Sequence, residues 1–275
     1  TSDLIALIPY WAVQGLIHVE EIPKSGLFNS SDMKIRKLKN LSSNAAGYEQ
    51  SIFRGLFTGS IGTVLISNLR NKFYIYKNSA EEDLKRQAQK YYVPESKKVM
   101  KTMLKICVAL GVIFGALFLF IWGPLASVSA VVICVFLAFM TVFLEKKNNE
   151  GNAIYSELKG FKHFIEIAEI DRIKMLLDED PKYFEKTMSY ALAFGMLEKW
   201  AKHFDALNVA EPIWYSGATN RAFGVYAFSR SFNSNLSHAQ SNLVSMPSSS
   251  SSGGSSFSGG GSSGGGFGGG GGGSW

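Results

Sequence analysis

The sequence predicts a membrane protein that is mainly α-helical and has a small α+β part. Two apolar runs follow each other at residues 103–123 and 125–144, and each is long enough to cross a bilayer as a helix. The flanking segments are mixed in composition, whereas residues 231–275 contain no Lys, Arg, Asp or Glu. We therefore predict a winged-helix-like cytoplasmic α+β region at 1–100, a transmembrane helical hairpin at 103–144, a cytoplasmic helical region at 145–230 and a disordered Ser/Gly-rich tail at 231–275.

Short helices and strands alternate in the first region. An apolar helix is expected over residues 4–13, before a stop at Gly15, and strands are expected at 16–22 and 33–39, where polar and apolar residues largely alternate. Ser67 and a capping box of Ser79 and Glu82 mark the starts of two later helices. In chain order, the remaining elements are a helix at 48–57, a strand at 63–66, helices at 67–76 and 80–91 and a strand at 92–94, which together resemble a winged helix.

A winged helix raises the question of DNA binding. The candidate recognition helix begins with Glu81, Glu82 and Asp83, at the end where recognition helices approach bases and phosphates. Three carboxylates at that end repel phosphate, which supplies much of the affinity of DNA-binding proteins. We therefore do not expect a nucleic-acid partner.

The apolar runs have the features of a helical hairpin in a bilayer. Gly123 and Pro124 supply the turn, next to Trp122, whose ring suits the membrane interface. Backbone groups in hydrocarbon must be hydrogen-bonded internally, so both runs are expected to be helices. Gly111 and Gly115 form a small-residue face that we expect to pack against the second helix.

Positive charge determines the expected orientation of the hairpin. Residues 1–105 hold 16 Lys and Arg against nine Asp and Glu, and the turn carries no charge. Because basic residues favour the cytoplasmic side, both soluble segments are predicted to be cytoplasmic. Neither span has a central ionisable residue of the kind that an ion or proton pathway needs, so we interpret the hairpin as an anchor. The lysines that flank or open the spans are Lys97, Lys98, Lys101, Lys105, Lys146 and Lys147.

Three helices are predicted after the hairpin. The first covers residues 152–177, and Asp180 is expected to cap the second, whose first residue is Pro181. Gly195 ends the second helix, and the third carries Trp200 and Phe204 on its buried side.

No residue is predicted to be catalytic, to bind a cofactor or to hold a metal. His163, Glu166 and Glu169 have the spacing of ligands on one helix face, but no second set matches them, so a solvated face is the better interpretation. The acidic run at 178–180 lacks the spacing of a calcium loop. Cys107 and Cys134 both lie in the apolar runs and are interpreted as small packing residues.

The tail is of low complexity. From Ser248 the chain consists of Ser and Gly with two Phe and a final Trp, and it holds 14 of the 28 glycines. Such a composition cannot bury enough apolar surface to offset the entropy of ordering, so disorder is expected. A Gly-x-Ser-x-Gly pattern around Ser262 and Ser263 lacks the strand–turn–helix context of a nucleophile. Phe257, Phe267 and Trp275 are isolated aromatic residues.

One stretch resembles a known family. GFKHFIEIAEIDRIKMLLDEDPKYFEKTMSYALAFGMLEKWAKHF, followed by EPIWYSG and a tail ending in GGSW, is similar to the YciQ-like family of predicted bacterial membrane proteins, which carries a domain of unknown function. The resemblance implies a location in the bacterial inner membrane and an additional N-terminal half with a signal sequence, an extracytoplasmic β-rich domain and one more membrane helix. The start at Thr1, without an initiator Met, fits that expectation. The resemblance supplies no catalytic residue.

The first functional hypothesis is a non-enzymatic scaffold or signalling adaptor of the bacterial envelope. Its partners would be the lipid bilayer and a protein bound through the segment 180–204 and the winged-helix-like unit; no small molecule or cofactor is predicted. A second hypothesis is a membrane-tethered DNA-binding regulator. A third is a component of an enzyme or transport system whose active part lies in the N-terminal half.

Overall fold

Helices surround one small sheet in the computed structural model, which describes residues 2–23, 32–59, 62–217 and 223–245. The helices are α1 (Ser2–Ile5), α2 (Leu7–Val13), α3 (Gly47–Phe57), α4 (Tyr74–Ala88), α5 (Pro94–Trp122), α6 (Pro124–Met140), α7 (Asn149–Ile167), α8 (Ile170–Glu179), α9 (Tyr183–Ala193), α10 (Leu197–Lys202) and α11 (Val225–Val244). The strands are β1 (Ile17–Ile22), β2 (Asp32–Lys37), β3 (Thr63–Leu65) and β4 (Tyr215–Ser216). The chain is therefore mainly helical with a small sheet, as predicted.

The sheet has the strand order β3-β2-β1-β4. β1 and β2 pair antiparallel with Val19 opposite Ile35, and both side chains are fully buried on the same face as Ile17. This follows from the alternation of polar and apolar residues along the two strands. β4 then adds parallel to β1, with Tyr215 opposite Val19. The sequence prediction missed β4 because two residues carry no detectable alternation.

The segments before and after α5–α6 share one hydrophobic core. α2 packs against α9, and α11 contacts α4 and β2. Trp11, Trp200 and Phe232, which come from three distant parts of the chain, are all completely buried in the same cluster. Residues on both sides of the apolar helices thus form one folded unit, which we call the soluble unit.

The predicted pair of helices at 67–76 and 80–91 is wrong. Among the described residues 47–59 and 62–93, one continuous helix, α4, takes their place, so Ser79 lies inside a helix instead of capping one. Ser67 lies in a 3-10 turn, where its hydroxyl donates to Asp32 at 2.5 Å and not to a helix N–H group. Tyr92 pairs with Lys147 rather than with a neighbouring strand of its own region. The arrangement that suggested a winged helix is therefore not formed.

The predicted helix at 152–177 is two helices. Ala168 adopts an extended conformation between α7 and α8. The change of direction allows Ile165 and Ile173, on either side of the break, to be completely buried in the same core.

The prediction that Asp180 caps the next helix and that Pro181 is its first residue is wrong, because α9 begins at Tyr183 after Lys182. Asp180 instead follows the end of α8 and accepts a hydrogen bond from the N–H of Lys182 at 3.1 Å.

The predicted tail begins too early in the sequence. Residues 231–244 belong to α11, whose buried side chains recur at helical spacing although the segment has no charge. The sequence prediction relied on the missing charges and overlooked this apolar face, which docks on the soluble unit. Residues 246–275, including Ser262 and Ser263, lie outside the described residues. The large apolar side chains on the buried face of α11 are Phe228, Phe232, Leu236 and Leu243.

A polar cluster ties three distant elements together. Glu21 of β1 accepts hydrogen bonds from the hydroxyl of Tyr215 in β4 at 2.5 Å and from that of Ser231 in α11 at 2.8 Å. Burial, together with the hydrogen bond to Glu21, raises the pKa of Tyr215 far above its ordinary value. The hydroxyl is therefore a permanent donor that holds β4 and α11 against β1.

Replacing Tyr215 with Phe is expected to destabilise the soluble unit by about 1–3 kcal/mol, because Glu21 loses a buried donor. The measurement is the thermal unfolding midpoint of the full chain in one detergent. Tyr190→Phe is the matched control, since this ring is 52% exposed and its loss of a hydroxyl should change stability by less than about 0.5 kcal/mol. Equal midpoints for the two variants would show that the Glu21 bond contributes nothing.

Candidate functional site

α5 and α6 run antiparallel and pack through small residues, as the spacing of the glycines predicts. A Cβ atom at Gly115 would lie 3.0 Å from a methyl carbon of Val131, and one at Gly111 would lie 3.2 Å from Cβ of Cys134. The hydroxyl of Ser127 donates to the carbonyl of Gly115 at 2.7 Å. The two backbones therefore approach closely, and Cys134 serves as a small packing residue at this contact, while Cys107 is also a free thiol.

The outer surface of this helix pair is apolar and uncovered. Val112, Phe120 and Leu125 are 69%, 88% and 87% exposed, and the soluble unit does not reach them. Within the described residues, α5 is the one helix that is long and apolar enough to cross a membrane, and its most apolar stretch of 18 residues has a mean hydropathy of 2.6. α6 is equally apolar in character but has 17 residues, after which a 3-10 turn covers Thr141–Leu144. Such a surface is stable only in contact with lipid or another apolar partner.

The two chain passages at the base of this helix pair are hydrogen-bonded to each other. The N–H of Val93 donates to the carbonyl of Lys146, and the N–H of Asn148 donates to the carbonyl of Tyr91, both at 2.9 Å. The amide side chain of Asn148 also donates to the carbonyl of Lys90 at 2.7 Å. We call these two passages, residues 90–96 and 145–151, the joint.

Asn148 and Gly151 connect the joint to α7. The side chain of Asn148 caps α7 by accepting the N–H of Gly151 at 2.8 Å. A Cβ atom at Gly151 would lie 2.3 Å from the carbonyl oxygen of Tyr91, so only glycine fits here. Sequence reasoning missed both residues, although Asn is a preferred capping residue and a glycine in the first turn of a helix often marks a close approach.

The joint determines how the apolar helices are attached to the soluble unit. α5 leaves it directly after Val93, and α7 enters it at Asn148 and continues to Ile165, which is completely buried in the core. No free linker therefore separates α5–α6 from α7.

The structure does not assemble the residues considered as metal ligands. Nδ1 of His163 lies 3.7 Å from a carboxylate oxygen of Glu166 on the exposed side of α7, while Glu169 lies beyond the end of that helix. Asp180 pairs with Lys186 at 2.7 Å, and this hydrogen bond lowers the pKa of the carboxyl group. Within the described ranges, no group of three or more His, Cys, Asp or Glu side chains is placed to hold a metal ion.

The acidic residues of the supposed recognition helix lie in the middle of α4. Glu81 pairs with Lys77 at 3.2 Å, and Asp83 pairs with Arg86 at 3.0 Å. The argument against DNA binding placed these acids at the N-terminus of a helix, and that placement is wrong because α4 begins at Tyr74. The positions of these acidic residues therefore provide no argument for or against DNA binding.

One family model matches most of the chain. It is described as the C-terminal domain of a predicted membrane protein, DUF2207, and it covers residues 2–204. The match includes the apolar helix pair and the joint and ends before β4 and α11. No curated protein and no solved structure shows significant similarity to the chain.

Proposed function

Because the chain belongs to the DUF2207 family of predicted membrane proteins, as its resemblance to YciQ-like proteins indicates, we propose that it is a membrane-anchored scaffold or signalling adaptor without enzymatic activity. In this proposal, α5 and α6 cross the bacterial inner membrane as a hairpin and hold the soluble unit on the cytoplasmic side. The joint is the observation that carries the proposal, since it fixes the orientation of the soluble unit relative to the anchor. A simple tether would need no such bonding.

Charge and length support this topology. Lysines surround the joint, whereas the turn at Gly123 carries no charge, which favours a cytoplasmic joint and an external turn. At about 1.5 Å per residue, α6 and the four residues after it cover roughly 30 Å, the thickness of the hydrocarbon core. α5 is longer and begins in the polar region.

Exposed apolar side chains suggest where a protein partner binds. The segment 180–204 keeps Phe184, Met188 and Trp200 completely buried, so these side chains are committed to the core. Ile167 and Ile170, in contrast, are 62% and 49% exposed on the two sides of the break between α7 and α8. We place the partner surface at this α7–α8 corner, which is attached to the joint through α7.

The topology is tested by labelling single cysteines with a membrane-impermeant maleimide in spheroplasts. Cys107 and Cys134 are first replaced by Ser, and a cysteine is then introduced in place of Leu125 at the turn or Ser156 on the exposed side of α7. The Leu125→Cys variant should react in intact spheroplasts and Ser156→Cys only after permeabilisation. Reaction of both variants from the same side would overturn the hairpin.

The adaptor role is tested by capturing the full chain from native membranes in mild detergent, followed by quantitative mass spectrometry. A near-stoichiometric protein is expected with the wild type, and its recovery should fall at least about tenfold with Ile167→Asp and Ile170→Asp combined. Lys199→Asp is the control, because it changes the net charge by the same amount at another exposed position. The adaptor role is rejected if nothing is captured, and the α7–α8 corner is rejected if the double variant retains the partner.

A further inference from the structure

A cleft lies at the joint, between the first turns of α5 and Glu145. Its volume is about 300 Å³. Its lining includes three lysines, one glutamate and one tyrosine, which are Lys97, Lys98, Lys101, Glu145 and Tyr92. The cleft is open on one side and combines an aromatic wall with an excess of positive charge.

Within the part of the chain that the structure describes, the lysines of this cleft form no ion pairs. Other lysines of the described chain do form them, for example Lys34 with Glu20 at 2.8 Å and Lys186 with Asp180 at 2.7 Å. No salt bridge in residues 62–217 uses Lys97, Lys98 or Lys101, although Glu145 lines the same cleft. Their charges therefore remain available to an anion.

The position of the cleft along α5 matches the depth of lipid headgroups. Lys101 and Lys97 precede Met103, the first residue of the predicted apolar run, by about 3 and 9 Å along the helix axis, at roughly 1.5 Å per residue. The polar layer on each side of a bilayer is about 5–8 Å thick. With Met103 at the edge of the hydrocarbon core, Lys101 and Lys98 lie within the polar layer of the headgroups, and Lys97 lies at its outer edge.

We propose that this cleft binds the phosphodiester of an acidic phospholipid headgroup and so fixes the joint at the membrane surface. The proposal rests on the membrane anchor proposed above. Basic residues that only orient a span need no cleft, whereas these three line one together with Tyr92. The charge of the cleft does not separate a phosphodiester from free inorganic phosphate, so the assignment to a lipid rests on the position of these lysines along α5.

The test uses the purified full chain in a neutral detergent, titrated with phosphatidylglycerol or phosphatidylcholine and followed by native mass spectrometry. We expect at least about tenfold tighter binding of phosphatidylglycerol. This preference should disappear when Lys97, Lys98 and Lys101 are all replaced by Gln. The matched control replaces three exposed lysines elsewhere, Lys159, Lys162 and Lys199, with Gln, and it should keep the preference.

Two further measurements separate the possible failures. Inorganic phosphate at about 10 mM should leave the bound lipid in place; displacement would identify a site for free phosphate and overturn the lipid assignment. Labelling of a cysteine at position 125 reports insertion independently. The lipid site alone is overturned if the wild type inserts but shows no preference for phosphatidylglycerol, or if the triple Gln variant of the cleft keeps this preference. If the wild type does not insert, both the membrane anchor and the lipid site are overturned.

Discussion

A chain that ends at Gly224 is expected to lose the fold of its soluble unit, whereas a chain that ends at Ser245 should keep it. The shorter chain lacks α11, and with it the buried side chains of Phe228, Phe232 and Leu236. Each large apolar side chain contributes about 1.5–3 kcal/mol when buried. Together with Leu243, these residues account for roughly 6–12 kcal/mol, which is comparable to the whole stability of a typical domain.

The measurement is limited proteolysis of the two chains in detergent, followed by near-UV circular dichroism. Trp200 lies in the core and reports the loss of tertiary packing directly. A point variant supports the truncation: Phe232→Ala should cost about 3–5 kcal/mol, and Ser237→Ala, on the exposed side of α11, should cost little. Equal protease resistance of both truncated chains would show that residues 231–244 belong to the tail and not to the folded core.

Replacing Gly151 with Ala is expected to loosen the joint, whereas the same substitution at Gly160 in the same helix should stabilise the protein. The new methyl group at Gly151 meets the carbonyl of Tyr91, which is backbone and cannot move aside without breaking the bond from Asn148. Overpacking costs about 1–3 kcal/mol, and the lost hydrogen bond about 1 kcal/mol more. A side chain at Gly160 meets nothing within 4 Å, and Ala is better than Gly in a helix by up to about 1 kcal/mol.

Thermal unfolding in detergent gives the sign of each change, and hydrogen exchange locates it. The amides of Val93 and Asn148 donate across the joint, so their hydrogen exchange should be faster in Gly151→Ala than in the wild type. Their exchange rates should be unchanged in Gly160→Ala. If both substitutions raise the unfolding midpoint, the joint is not closely packed at Gly151 and cannot couple the anchor to α7.

The candidate site could be predicted from the sequence only in part. The apolar surface of α5 and α6 follows directly from composition, and the lysines beside it from simple inspection. The joint could not be predicted, since Val93 and Lys146 are separated by the entire helix pair and neither residue has a distinctive local pattern. The α7–α8 corner depends on the break at Ala168, which the continuous helical spacing conceals.

What the sequence alone determined is local. The strands β1 and β2 follow from alternation, and the ends of α2, α5 and α9 coincide with Gly15, Gly123 and Gly195, which all have positive φ angles that glycine adopts without strain. These features depend on neighbouring residues, so they can be read in order along the chain.

Only the tertiary structure decided which distant segments meet. The hydroxyl of Tyr215 finds Glu21 across 194 residues, and α11 becomes a core helix because the sheet and α10 offer it an apolar surface. Ser67 donates its hydroxyl to Asp32 instead of capping a helix. A buried carboxylate requires a hydrogen-bond donor more strongly than a solvent-exposed helix end does. Contacts of this kind are selected by burial in three dimensions, and no local pattern specifies them.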